Sequence, residues 1–330
     1  MNKTMMGISV LAVAVLASNP AQAAPDWSKV PGRDVVLFYP GISSLEWVMK
    51  GTEHSGAKAV KGGETCAGCH DKEAAEIGRK IVSGEKPSLQ NTALKGLPGS
   101  IPVKVKAAYD GGNLYVRMEW KDVKSPGGNK GDEANPIKVA MMIGDDKVDY
   151  VKEGGCWATC HHDLRTMPDV DKNAPSHPRA KALDIRKNGP TKYLKESRTT
   201  LSIKDHPWGG WDKLKPAAEV DKEFKEGEFL DIVQYRSGAA PRDGHVLDAR
   251  RMQEAAGVAE GRQDGNTWAV TFTRKLAGGG AGDHKIAAGK TYNVGFAIHN
   301  DHANERHHHV SFGYTLALDN PKADINAVKQ

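Results

Sequence analysis

The sequence predicts a mainly β fold: an antiparallel β-sandwich preceded by a small, mostly helical module. Two observations carry this. From Ile101 onward, apolar residues recur at every second position, the period of a strand with one buried face. Turn signals punctuate these runs, the clearest being Asp110-Gly111-Gly112-Asn113. Before residue 100 the alternation is missing, and the apolar residues follow short helical spacings instead.

The first 23 residues read as an export leader. Lys3 precedes an apolar run over residues 5–17, followed by Ala21-Gln22-Ala23, a small-residue cleavage pattern. Cleavage after Ala23 would deliver the chain to a bacterial periplasm. The run is too short to span a bilayer, and no later one is long enough, so stable membrane insertion is not expected. No cysteine lies near the cleavage site to carry a lipid anchor.

Residues 24–100 form the helical module. Ser43 and Ser44 can cap a brief helix through Leu45, Trp47, Val48 and Met49. A clearer helix is expected over residues 71–83, with Asp71 as cap, Ala74, Ile77 and Ile81 along one face, and Gly84 as stop. Residues 101–330 form the sandwich. A hairpin joins the Ile101, Val103, Val105 run to Leu114, Val116, Met118 and Trp120. Further strands are expected at 136–143, 147–151, 228–236, 266–274, 291–299 and 308–318. Between them lies a long insertion, residues 154–227, and a connection of that length in a compact domain usually serves a function.

The chemistry is concentrated in the cysteines. The chain holds 4 cysteines and 13 histidines. Cys66-Ala-Gly-Cys69-His70 is the spacing by which two thiols and one imidazole reach a single haem from one turn of backbone. A disulfide or half of a zinc site would explain the two thiols but not the adjacent His70. A looser copy follows in the insertion, Cys156-Trp-Ala-Thr-Cys160-His161; a local disulfide beside a non-covalent haem is its alternative. The expectation is two haem c groups, attached at Cys66 and Cys69 and at Cys156 and Cys160, with His70 and His161 as proximal iron ligands.

The distal ligands are harder to read. His54 lies in the same module as the first motif and is the candidate there. For the second haem, strand alternation puts His308 on one face with Val310, Phe312, Tyr314, Leu316 and Leu318, the expected core face. His299 sits opposite Tyr292, Val294, Phe296 and Ile298, beside the small Gly295 and Ala297, so a porphyrin could approach it closely. His299, His302, Met141 and Met142 therefore stay open as alternatives to His308.

Three stretches, Asn113-Leu-Tyr-Val-Arg-Met-Glu-Trp-Lys-Asp122, Gly155-Cys-Trp-Ala-Thr-Cys-His161 and Ala297-Ile-His-Asn-Asp-His302, resemble periplasmic dihaem cytochromes c. Arg306-His-His-His-Val-Ser-Phe312 belongs to the same resemblance. The haem domain is similar to the haem-binding gamma subunit of ethylbenzene and dimethylsulfide dehydrogenases. The resemblance implies a β-sandwich with haem at one end and an electron-transfer role. In those gamma subunits the haem is b-type, with methionine and lysine ligands; here histidine stands near the lysine position, at His308, and a cysteine motif is added.

The formal charge of +5 falls to +4 without Lys3, and it is spread along the chain with no basic stripe, which excludes nucleic acid as a partner. The expected function is a single-electron carrier of anaerobic respiration. Its redox partners would be a quinol-oxidising membrane cytochrome and a terminal reductase; self-association stays open. A haem enzyme with one open coordination site, or a haem subunit of a molybdenum dehydrogenase complex, is the alternative.

Overall fold

A computed structural model describes residues 24–41, 54–85, 93–126, 131–148, 151–159, 193–197, 214–304 and 307–330. The chain is mainly β. Among the described residues thirteen strands join in one hydrogen-bonded sheet. The expected hairpin is there as β2 (Ser100–Tyr109) and β3 (Asn113–Lys121), paired antiparallel. Its turn is held by Asp110, whose carboxylate accepts hydrogen bonds from Gly112 N and Asn113 N at 2.7 Å each.

β1 (Gly32–Phe38) comes from the stretch read as helical and irregular, yet it pairs along its whole length with β2. Then follow β4 (Lys138–Gly144), β5 (Leu230–Arg236), β6 (Arg242–Val246), β7 (Arg250–Glu254), β8 (Ala259–Asp264), β9 (Thr267–Lys275), β10 (Thr291–His299), β11 (His309–Val310), β12 (Tyr314–Leu318) and β13 (Ile325–Lys329). The sheet order is β7-β6-β5-β4-β10-β11-β1-β2-β3-β9-β8. These pairs are antiparallel; β13, which closes the gap between β12 and β2, is parallel to both. Of the strand expected at 147–151, the described residues 147, 148 and 151 form none. Lys147 and Val148 lie in a turn, and Val151 opens a helix.

The inward residues of many strands meet in one core, among them Val35, Val103, Met118, Met141, Phe272, Phe296 and Leu316, so the sheet closes over its own apolar face. Where β5 meets β8, the Tyr235 hydroxyl reaches Gly261 O at 3.5 Å. The other face of β4, β10 and β11 is apolar too. Met142, Ala297 and Val310 point outward there and join Phe38, Phe312, Cys66 and Cys156 in a second cluster.

The helices sit on that second face. They are α1 (Ala57–Lys61), α2 (Cys66–His70), α3 (Ala74–Val82), α4 (Val151–Thr159) and α5 (Ala217–Glu226). The helix expected over residues 71–83 is a 3-10 turn, Asp71–Glu73, running into α3. Of the expected face, Ala74 and Ile81 are buried and Ile77 is half-buried, and Gly78 is buried with them. Gly78 is obligatory, because a Cβ there would lie 1.9 Å from Gly99 O. Asp71 does not cap the helix with its side chain; its carboxylate is engaged elsewhere. The brief helix proposed after Ser43 lies outside the described residues.

Candidate haem site

Thr65 sets up the first motif. Its backbone is extended, and its hydroxyl accepts a hydrogen bond from Gly68 N at 2.9 Å, capping the single turn of α2. Cys66 and Cys69 are three residues apart on that turn and so share one side of it. Both are free thiols, Cys66 buried and Cys69 exposed. Burial, helped by the charges of Glu153 and Cys69, pushes the Cys66 thiol up to about 12, so it stays protonated at neutral pH.

His70 ends the turn. Its Nδ1 lies 2.9 Å from Glu73 Oε2. With a carboxylate on that side, Nδ1 carries the proton and Nε2 keeps its lone pair for a metal. The next residue ties the turn to the sheet. Asp71 accepts hydrogen bonds from the Tyr314 hydroxyl at 2.7 Å and from Arg33 Nη2 at 3.0 Å. The Arg33 guanidinium also lies over the Tyr314 ring, 5.7 Å from its centroid. Burial and the Asp71 carboxylate hold the Tyr314 phenol well above its ordinary range.

His54 stands opposite. Its ring packs over Gly56, where a Cβ would lie 2.8 Å from His54 Cε1. The centroids of the His54 and His70 rings are 6.1 Å apart, with an interplanar angle of 47°. A metal–imidazole bond is about 2 Å long and the bonding nitrogen lies roughly 1 Å from its ring centre, so imidazoles on opposite sides of one metal have centroids roughly 6 Å apart. The separation of this pair therefore matches that of two imidazoles on one iron, and Cys66 and Cys69 are the thiols that covalent attachment would use. Phe312 lines the same space, with its centroid 6.4 Å from that of His70 and 4.7 Å from that of Phe38.

The second motif is described only in part. Cys156 is buried, at 3% exposure, whereas Cys160 and His161 lie outside the described residues. α4 bends at Gly155, which has φ 57 and ψ −144 and rests on the backbone of Phe312 and Gly313. Gly295 of β10 lets Cys156 approach the sheet, since a Cβ there would lie 2.5 Å from Cys156 N. α2 packs against α4, so the two cysteine motifs are neighbours on one apolar face.

The distal candidates for that second motif separate by geometry. His308 does share a face with Val310, but that face is not the inner core of the sheet. The strand breaks between β11 and β12. Ser311 N donates to Phe296 O, and Phe296 N donates to Ser311 Oγ, each at 2.9 Å. Across the break the alternation shifts. Val310 and Phe312 join the outer cluster, while Tyr314, Leu316 and Leu318 belong to the inner core. His308 consequently meets His299 on the outer side of the sheet, their rings stacked with centroids 4.6 Å apart and an interplanar angle of 22°. That separation is too short for an iron between them. His309 points elsewhere, donating from Nε2 to Pro98 O at 2.7 Å, and burial pushes it down to about 4. His302 follows Asp301 in a tight turn, with φ 65 and 52 respectively. Met141 is core, whereas Met142 faces the cluster that contains Cys156.

Two features of the site escaped the sequence reading. Glu73 was signalled by its spacing of three from His70. The Arg33–Asp71–Tyr314 contact joins residues 243 apart and left no local signal.

The ethylbenzene dehydrogenase family model matches residues 24–264. A cytochrome c-552 from Stutzerimonas stutzeri is 43% identical over 336 residues, covering 100% of both chains. A cytochrome c-551 from Rhodocyclus tenuis is 31% identical over 313 residues, 93% of this chain and 100% of that one. Among solved structures, a family 9 carbohydrate-binding module from Caldicellulosiruptor kristjanssonii aligns over 64% of this chain and 66% of its own, at 11% identity and a TM-score of 0.26, too slight a likeness to bear on fold or ligand. With a family model matched over residues 24–264 and relatives that carry the name cytochrome c along their whole length, the chain belongs to the ethylbenzene dehydrogenase family.

Proposed function

We propose that the chain is a periplasmic dihaem c-type cytochrome, a carrier of single electrons in anaerobic respiration. The observation that carries this reading is the His54–His70 pair, 6.1 Å apart beside the free thiols of Cys66 and Cys69. Bound haem would supply a one-electron iron couple. Cys66 and Cys69 would anchor the group, and His70 and His54 would both be ligands of its iron. With both bound, no open position remains for a substrate at that iron, which favours a carrier over an enzyme. Phe38, Phe312, Val60 and Ala74 form an apolar wall on the Cys66 side of the turn, while Cys69 stays open to solvent. Cys156, Cys160 and His161 would hold the second haem, with a further ligand from His308 or His299. The relatives named cytochrome c-552 and c-551 support the carrier reading.

The leader pattern in residues 1–23 supports export, and among the described residues no helix is long and apolar enough to cross a membrane. The partners in this reading are a quinol-oxidising membrane cytochrome and a terminal reductase. The family match favours one further reading, a haem subunit bound within a dehydrogenase complex.

Intact mass and visible spectra of the mature protein test the proposal. A mass gain of two haems and low-spin spectra in both oxidation states are expected. One covalent haem would overturn the dihaem reading, and a high-spin fraction that binds cyanide would overturn the carrier reading. Co-purification with a large dehydrogenase subunit at fixed stoichiometry would favour the complex instead.

A further inference from the structure

We infer that Glu73 is a positioning residue for His70 and sets the reduction potential of the haem held by Cys66 and Cys69; this rests on the reading of His70 as an axial ligand.

The contact is local and specific. Glu73 Oε2 lies 2.9 Å from His70 Nδ1. The intervening residues form a 3-10 turn, in which side chains three apart eclipse one another, and this brings the carboxylate to the Nδ1 edge of the ring. Neighbouring carboxylates are committed elsewhere: Asp71 to Tyr314 and Arg33, Glu76 to Arg79 and Lys80. Glu73 is therefore the carboxylate directed at the imidazole among the described residues of this turn.

Its effect follows from charge. A carboxylate that accepts the Nδ1 proton in a hydrogen bond fixes the ring's tautomer and orientation and makes Nε2 a stronger donor to a metal. Ferric iron carries one more positive charge than ferrous, so the stronger donor favours the ferric state and lowers the potential. The Glu73 side chain is 62% exposed, so the pair contributes little to folding. Its leverage is on the ligand, not on stability.

The test uses the full holoprotein and redox titration monitored in the visible spectrum. In Glu73→Gln and Glu73→Ala, the ferric-to-ferrous ratio of one haem at fixed applied potential should fall about tenfold, a rise of about 59 mV for a one-electron couple. The other haem and the melting temperature should not move, and Glu73→Asp should recover part of the shift. His70→Ala is the companion variant. If it keeps the low-spin spectrum of both haems, His70 is no ligand and the underlying reading fails. If it loses one low-spin signal while Glu73→Gln leaves both potentials in place, the inference about Glu73 alone is overturned.

Discussion

Replacing Gly155 by alanine tests whether the second cysteine motif is seated by direct backbone contact. Gly155 has φ 57 and ψ −144, a conformation reserved for glycine, so any other residue incurs about 1–3 kcal/mol of strain there. The added Cβ would also lie 2.3 Å from Gly313 N and 2.4 Å from the Phe312 carbonyl carbon. Neither atom belongs to a side chain that can swing away, so relief requires α4 to lift from the sheet, at a further cost of about 1–3 kcal/mol. The sum, about 2–6 kcal/mol, corresponds to a melting temperature at least about 3 °C lower. Gly257→Ala separates the two contributions. Gly257 has φ 80, but a Cβ there meets nothing within 4 Å, so its alanine variant carries only the conformational cost. Thermal melts of both holoproteins, followed by far-ultraviolet circular dichroism, should give a clearly larger drop for Gly155→Ala. On the dihaem reading, intact mass should also show incomplete loading of the Cys156–Cys160 motif in that variant alone. Equal drops for the two variants would refute the argument that backbone contact seats α4.

Three other perturbations have expected outcomes. Arg274, 4% exposed, bridges Asp231, Asp243 and Asp283, and Arg274→Met would leave these carboxylates facing one another, costing about 3–5 kcal/mol in urea-unfolding experiments. Burial pushes Asp231 up to about 7 and raises Asp243 as well, so between the ordinary carboxylate range and pH 7 these two carboxyls bind more protons in the folded chain than in the unfolded one. Their contribution to stability should therefore fall as pH rises through that window, opposite in sign to that of the buried His309, and urea midpoints of the protein and of Asp231→Asn at about pH 5 and about pH 8 isolate it: the advantage of the unaltered protein over the variant should shrink at the higher pH. Tyr314→Phe removes the hydrogen bond to Asp71 and should cost about 1.5–3 kcal/mol by the same unfolding measurement, with Arg33 still holding Asp71 in place.

What the sequence disclosed follows from how each element is buried. The β2–β3 hairpin and β9 have one covered face and one more open face, so their alternation is plain in the chain. β1 was missed because both of its faces are covered: Val35 and Leu37 face the core, while Phe38 and Val36 face the helices. A strand buried on both sides reads as an unbroken apolar run. β7 and β8 were missed for the opposite reason, since Arg250–Glu254 and Ala259–Asp264 bury almost nothing. Val148 and Val151, read as a strand, are spaced three apart and lie at a turn and a helix start. At the site, the Cys66–His70 motif was legible because its chemistry is confined to one turn. The face of His308 was misjudged because the break at residues 311–313 shifts the alternation, a change that no residue type announces. The Asp71–Tyr314 contact depends on the fold as a whole.

The two cysteine motifs bear on each other through the surface they share. Cys66 and Cys156 lie in one apolar cluster with Phe312, and Gly155, Gly295 and Gly313 allow α4 to touch the sheet backbone directly. Backbone contacts yield less than side-chain contacts, so the spacing between the motifs is set by the sheet and not by adjustable packing. The same rigidity constrains the ligands. His299 and His308 are opposed on adjacent strands, and their stack at 4.6 Å puts both rings on one side of any iron they could reach. On the dihaem reading only one of them is a ligand and the other is its neighbour, so His299→Ala and His308→Ala must differ. One should convert the second haem to high spin, and the other should only shift its potential. Equal loss in both variants would mean that the strands separate to admit the iron, contrary to a surface held this closely by its own backbone.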